Sequence, residues 1–330
     1  MPDRFRLHIE NLTAQPPLFH ITPQRYSVVA ARHPALAERI DVTFGWDGDI
    51  FERAIADAHG LIGWRFDRKE LGRRAPVLSW IHFTGAGIEH VMPLDWVPDG
   101  AMVTNSRGVH AAKAGEFAAM AVLALNARLP FYATSKSLRR WERIFVSSVV
   151  GKTVVIVGVG HMGAAAAARC KAMGMRVLGI RASAGPCPDV DEMFPPEQLA
   201  AALPRADFLV LTVPLTPQTR GLIGRAELDL LKPECGVLNI ARAGVVDYPA
   251  LFQKLRDGTL SGAILDVFDP EPLPADSPAW DTPNLIMTPH VSSDDVERYA
   301  MDVLEQFFEN FQRLSEGLPL RNLVDPSRHY

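Results

Sequence analysis

Arg242, Glu271 and His290 are the side chains of this chain best suited to move a proton beside an anion. A guanidinium grips a carboxylate through a planar fork and polarises a neighbouring carbonyl oxygen. An imidazole donates a proton near neutral pH. A carboxylate on the second ring nitrogen would orient the imidazole and favour its charged form. Each residue follows a short apolar run: Asn239-Ile240-Ala241-Arg242-Ala243-Gly244, Asp266-Val267-Phe268-Asp269-Pro270-Glu271-Pro272, and Met287-Thr288-Pro289-His290. Taken singly they also have ordinary readings: a loop-capping His, an Arg in a surface ion pair, a solvated Glu. Taken together they suit a small substrate whose carboxylate lies beside a ketone.

Upstream, Gly158-Val159-Gly160-His161-Met162-Gly163 fits the spacing GxGxxG. The motif is weak alone, but an apolar strand (Val154–Val157) precedes it and an alanine-rich helix follows. In that setting Gly158 makes the tight turn, Gly160 lets the backbone approach a pyrophosphate, and Gly163 lets the helix pack closely. The diphosphate of a dinucleotide would rest on the free N–H groups of the helix N-terminus. At the end of the next strand, where an acidic residue would select NAD, stands Arg181, followed by Ser183. A guanidinium and a hydroxyl welcome a 2′-phosphate, so NADP(H) is expected over NAD(H). The alternative is that Arg181 stacks on the adenine and NAD is used.

These residues need strand ends to carry them. Short apolar runs alternate with helical patterns, the signature of βα repeats and parallel sheets. Strands are expected at Leu7–Glu10, Asp41–Phe44, Gly60–Trp64, Leu78–Phe83 and Ala101–Thr104, with helices at Ile50–His59 and Arg68–Arg74 between them. His110–Leu129 reads as one long apolar helix ended by Pro130, needing more than one partner to bury it. A second alternation predicts six strands: Thr153–Val159, Arg176–Ile180, Phe208–Val213, Gly236–Ile240, Gly262–Val267 and Asn284–Thr288. Helices are expected at Met162–Met173, Pro196–Leu203, Arg225–Leu231 and Pro249–Arg256. The final helix, Val296–Leu314, carries Val303, Phe307, Phe311 and Leu314 at helical spacing and should pack back on the first unit. The expected domains are therefore 1–104 with 292–330, and 105–291.

Bulk properties exclude other classes. The 330 residues carry 34 Lys+Arg against 38 Asp+Glu, a balance unsuited to a general nucleic-acid binder. The longest apolar run, Phe117–Leu125, is far short of the ~20 residues that cross a membrane. No apolar segment marks a signal peptide near Met1. Three scattered cysteines read as thiols of a reducing compartment, and no grouping has metal-ligand spacing. A cytoplasmic protein is expected.

The ordered segments of the chain resemble the D-isomer-specific 2-hydroxyacid dehydrogenases. The resemblance runs through Thr84–Glu89, Asn105–Glu116, the glycine loop, Val213–Ile223, the Arg242 segment, Asp266–Pro272 and Thr288–His290. The Arg181 strand end and Pro272–Trp280 are similar to the glyoxylate/hydroxypyruvate reductase branch. The resemblance implies an α/β protein of two doubly wound parallel-sheet domains, a Rossmann cofactor domain inserted in a flavodoxin-like substrate domain. It implies that Arg242, Glu271 and His290 are catalytic, and that Ala86 and Gly87 join Arg242 and His290 in binding the substrate. Cofactor contacts would come from Gly158, Gly160, His161, Met162, Gly163, Arg181, Ser183, Val213, Pro214, Thr219, Ala241 and Asp266. It also implies a homodimer through His110–Leu129. Asn105, Lys113, Trp141 and Trp280 could approach a substrate, or cap, pack and stay solvated. Ala243 departs from the Gly usual after the arginine, and His161 is unusual within the glycine loop. The alternatives are a non-enzymatic dinucleotide sensor on the same fold, and a formate-type dehydrogenase, which would resemble a pattern with Gln in place of Glu271.

Overall fold

The computed structural model describes residues 3–183 and 185–325. They form two α/β units. One runs to Val109 and resumes at Asp295, and the other spans His110–Asp294.

The first unit is a five-stranded parallel sheet of β1 (Phe5–Asn11), β2 (Ile40–Trp46), β3 (Gly60–Gly63), β4 (Trp80–Phe83) and β5 (Met102–Asn105), in the order β2-β1-β3-β4-β5. This is the flavodoxin-like order. Helices α1 (Pro23–Ala30), α2 (Pro34–Ala37), α3 (Phe51–Ile55) and α4 (Leu71–Arg74) lie among the strands. The two short helices α3 and α4 lie within the stretches expected to be helical. Neither α1 nor α2 is obvious from apolar spacing, because only Tyr26 and Val29 of α1 are buried, and none of α2. Local chemistry starts α1: Thr22 Oγ1 accepts from the Arg25 amide, and Pro23 fills the first turn.

The last helix of the chain covers one face of this sheet. Tyr299–Ser315 turns Val303, Leu304, Phe307, Phe308 and Phe311 inward, each at most 1% exposed. Phe311 meets Phe5 at 5.0 Å between ring centroids, and Phe307 stacks on Trp80 at 4.8 Å.

The second unit is a seven-stranded parallel sheet. Its strands are β6 (Thr153–Val157), β7 (Arg176–Ile180), β8 (Glu192–Phe194), β9 (Phe208–Leu211), β10 (Gly236–Asn239), β11 (Gly262–Leu265) and β12 (Leu285–Met287). The order is β12-β11-β10-β9-β6-β7-β8, so the winding reverses between β6 and β9. Six of these strands fall inside the expected segments. The seventh, β8, is an edge strand of three residues with only Phe194 buried, too little pattern to read in advance.

Helices α5 (Ala111–Asn126), α6 (Leu129–Ser137), α7 (His161–Ala172), α8 (Leu199–Ala202), α9 (Arg225–Asp229) and α10 (Tyr248–Arg256) complete the unit, and Tyr299–Ser315 is α11. The single long helix expected over His110–Leu129 is corrected. Arg128 takes a left-handed conformation (φ 59°), which ends α5, and Pro130 sits in the first turn of α6 instead of closing a helix. The two axes meet at 62°. Among the described residues no single helix is long and apolar enough to cross a membrane.

Candidate active site

Arg242, Glu271 and His290 follow β10, β11 and β12, which are neighbours in one sheet. The ends of parallel strands therefore bring the three to the same edge, the edge where ligands bind in such sheets. His290 Nδ1 lies 2.8 Å from Glu271 Oε2, and the other oxygen, Oε1, accepts from the Phe268 amide at 2.8 Å. A carboxylate only accepts, so Nδ1 carries a hydrogen and any transferable proton sits on Nε2. His290 stays 45% exposed, reachable by a ligand. Arg242 is half-buried and anchors on the Ala241 carbonyl through Nη1 at 2.8 Å.

His290 adopts a left-handed conformation (φ 57°), unfavourable for a residue with a Cβ. Asp266 holds it there. Its side chain is fully buried and accepts from Thr288 Oγ1 at 2.6 Å, the Val291 amide at 2.9 Å and the Ser292 amide at 3.1 Å. The Asp266 carbonyl takes the His290 amide at 2.8 Å. Asp266, expected at the cofactor, is engaged on three sides with the loop that presents His290. Tyr248, which sequence reading missed, hydrogen-bonds the Val267 carbonyl at 2.6 Å and fixes the chain leading to Glu271.

The glycine loop lies at the winding reversal. Gly158 has φ 102°, and a Cβ there would fall 2.7 Å from the Val213 amide nitrogen. A Cβ on Gly163 would meet the Gly158 carbonyl at 2.2 Å, so only glycine lets α7 start so close to β6. At Gly160 a Cβ would meet nothing within 4 Å, and no side chain caps α7. That opening before uncapped helix amides fits a dinucleotide diphosphate. Beside it, His161 is exposed and Met162 half-buried. Val213 packs against the loop, Pro214 is exposed, and Thr219 Oγ1 closes the turn on the Pro214 carbonyl at 2.6 Å. Ala241 is buried, its amide held by Asn239 Oδ1.

Arg181 follows β7 and folds over its own turn. It donates to the carbonyls of Ser183 at 3.0 Å, Gly185 at 2.6 Å and, through Nη1, Val159 at 3.4 Å. The guanidinium therefore borders the glycine loop, with Ser183 exposed nearby.

In the first unit, Ala86 and Gly87 follow β4 and are half-buried, while Thr84 and Gly85 before them are buried. Their turn is braced from three directions. Asn105 Nδ2 donates to the Ala86 carbonyl at 2.8 Å, Tyr299 Oη to the Thr84 carbonyl at 2.7 Å, and the Trp64 ring lies where a Cβ on Gly85 would stand. Asn105 is thus a buried brace, and Lys113 pairs with Glu116 at 3.6 Å. Trp141 is 92% and Trp280 55% exposed, so neither packs in a core.

A further pair went unnoticed in the sequence. His110, the residue that opens α5, puts Nδ1 3.2 Å from the Ser293 carbonyl and 3.5 Å from Asp294 Oδ1. Burial pushes the His110 pKa down and the charges of Arg242 and His290 push it further, while Asp294 pulls it up. His110 therefore belongs to the same electrostatic neighbourhood as the other two. The one signal was its place near the expected domain crossing.

Comparison with known proteins bears on all of this. Residues 119–292 match the family model described as D-isomer specific 2-hydroxyacid dehydrogenase, NAD binding domain. The chain is 32% identical to a glyoxylate reductase of Korarchaeum cryptofilum over 287 residues, covering 84% of this chain and 85% of that one. It superposes on a D-isomer specific 2-hydroxyacid dehydrogenase of Xanthobacter autotrophicus solved with NADPH, at TM-score 0.83 and 29% identity, covering 98% and 99%. A Sinorhizobium meliloti NADPH-dependent glyoxylate/hydroxypyruvate reductase solved with NADP matches at TM-score 0.79 and 28% identity, covering 98% and 99%. The chain spans about half the length of the D-3-phosphoglycerate dehydrogenases that it also matches. On the family match and these relatives, the chain belongs to the D-isomer specific 2-hydroxyacid dehydrogenases.

Proposed function

We propose that this chain reduces a small 2-keto acid, such as glyoxylate or hydroxypyruvate, with NADP(H) preferred to NAD(H). The observation that carries the reading is the His290–Glu271 pair with Arg242, set at the adjacent ends of β10, β11 and β12. Relatives named glyoxylate reductase and glycerate dehydrogenase support it.

The nicotinamide, when bound, supplies the hydride. Arg242 binds the substrate carboxylate and polarises the ketone oxygen. His290 donates its Nε2 proton to the oxygen as negative charge develops there. Glu271 keeps the Nδ1 hydrogen and so fixes which nitrogen faces the substrate. In the reverse direction neutral His290 accepts the hydroxyl proton at Nε2. The turn at Ala86 and Gly87 offers backbone amides to a carboxylate. Gly158, Gly160, His161, Met162 and Gly163 take the diphosphate. Arg181 and Ser183 take the 2′-phosphate, and Val213, Pro214, Thr219 and Ala241 border the nicotinamide half.

A homodimer is proposed through the outer face of α5 and the segment after α6. Met120 and Leu123 on that face are 48% and 46% exposed, and Phe145 and Trp141 in that segment are 89% and 92% exposed. Apolar exposure on that scale marks an interaction surface. A Trp141→Ser/Phe145→Ser variant should sediment as a monomer where the native chain sediments as a dimer. The three unpaired cysteines fit a cytoplasmic setting.

Turnover of glyoxylate, hydroxypyruvate, pyruvate and phenylpyruvate with NADPH and with NADH tests the reading. The highest kcat/KM is expected for glyoxylate or hydroxypyruvate with NADPH. Tight NADPH binding with no turnover of any acid would point to a dinucleotide sensor instead.

A further inference from the structure

The loop that presents His290 is held at almost every residue. Asp266 takes donors from Thr288, His290, Val291 and Ser292. The next two residues, Ser293 and Asp294, face His110. His110 lies 183 positions from Ser293 in the chain, so this contact is a tertiary clamp between the start of α5 and the end of the loop. The Ser293 carbonyl can only accept, so His110 Nδ1 carries the hydrogen of this ring. Both partners are well covered, with side chains 14% and 20% exposed.

We propose that His110 and Asp294 are positioning residues for His290: the pair clamps the far half of its loop to α5 and leaves the Asp294 carboxylate facing the acid that protonates the substrate. The proposal rests on the reductase reading above and adds residues that the reading does not use.

The charges around the pair give the clamp a consequence. His110 faces Asp294, Arg242 and His290, besides the Ser293 carbonyl. Asp294 faces His110, His290 and Asp266. Burial and the two neighbouring cations disfavour a charge on His110. Burial also disfavours the charge on Asp294, while His110 and His290 favour it. Removing either partner therefore frees the end of the loop that carries His290.

Three variants of the full chain test this, read by kcat, KM and NADPH affinity across pH with glyoxylate as substrate. His110→Ala should lower kcat about tenfold, with KM and NADPH affinity little changed, because the acid is held less firmly. His110→Asn, which can still donate to the Ser293 carbonyl, should recover most of that loss. Asp294→Asn should lower kcat less, about threefold, because the amide oxygen still accepts while the charge is lost. Native kcat in both His110→Ala and Asp294→Asn would overturn the proposal. So would equal loss in His110→Ala and His110→Asn with NADPH binding lost, since that marks a fold defect. A native protein that reduces no keto acid defeats the reductase reading, and nitrogen NMR of the His110 ring then still judges the clamp. A neutral ring protonated at Nδ1, whose titration moves in Asp294→Asn, supports it. A ring titrating as a free histidine, unmoved by that substitution, refutes it.

Discussion

At the scale of single residues, the chain pairs acidic and basic side chains so that each has one task. Glu271 has both oxygens occupied, one by the Phe268 amide and one by His290, so it can steer the ring without competing for substrate. Arg181 binds two carbonyls of its own turn and one of the glycine loop, and so orders the place proposed for a 2′-phosphate. An Arg181→Asp variant should therefore lose both the positive charge and the turn's order. Its KM for NADPH should rise at least about tenfold while that for NADH changes less. Unchanged preference for NADPH in that variant would show that the guanidinium does not select the cofactor. The placement of Arg242, Glu271, His290 and the glycine loop after strand ends was legible in the sequence because each follows a short apolar run. Asp266 was legible as a site residue, but its hold on the His290 loop was not, since only the fold shows its carboxylate turned into the loop. His110 and Asp294 were invisible, because nothing local marks two residues that meet only when α5 and the loop after β12 come together.

At the scale of elements, strands read more clearly than helices. A run such as Thr153–Val157, four of its five residues fully buried, has one stable use in a sheet covered on both faces. Short helices that bury little, such as α2, and the three-residue edge strand β8 leave no such mark. The strongest helical signal, α11, shows why spacing works there: its aromatic stripe meets Phe5 and Trp80 across the first sheet. Truncating the middle of that stripe, Phe307→Ala, should cost about 3–5 kcal/mol by urea unfolding. A loss below about 1 kcal/mol would mean that α11 is not part of the cooperative core of its unit.

At the scale of the whole molecule, stability should carry the signature of the buried His82 imidazole. His82 is 1% exposed, and burial pushes its pKa down to about 3. Trp80 Nε1 donates to Thr104 Oγ1 at 2.8 Å, which leaves that hydroxyl's hydrogen for His82 Nδ1, also at 2.8 Å. The ring is thus a neutral acceptor inside a satisfied network. Below about pH 6.5 the unfolded chain takes up a proton that the folded unit refuses. Stability is then lost as pH falls from there toward 3, by up to about 1.4 kcal/mol per pH unit. Urea midpoints measured between pH 7 and 4.5 should fall accordingly, and a His82→Gln variant should show a flatter profile. An identical slope in that variant would assign the acid sensitivity to other groups.

The central claim is that His290, steered by Glu271, is the proton donor for keto-acid reduction. It is tested most directly by His290→Ala, assayed for glyoxylate and hydroxypyruvate reduction with saturating NADPH alongside NADPH binding by fluorescence. The account predicts a kcat lower by about 100-fold or more, with NADPH affinity within about twofold of the native value. A variant that keeps a kcat within about tenfold of native would contradict it and remove His290 from the chemistry.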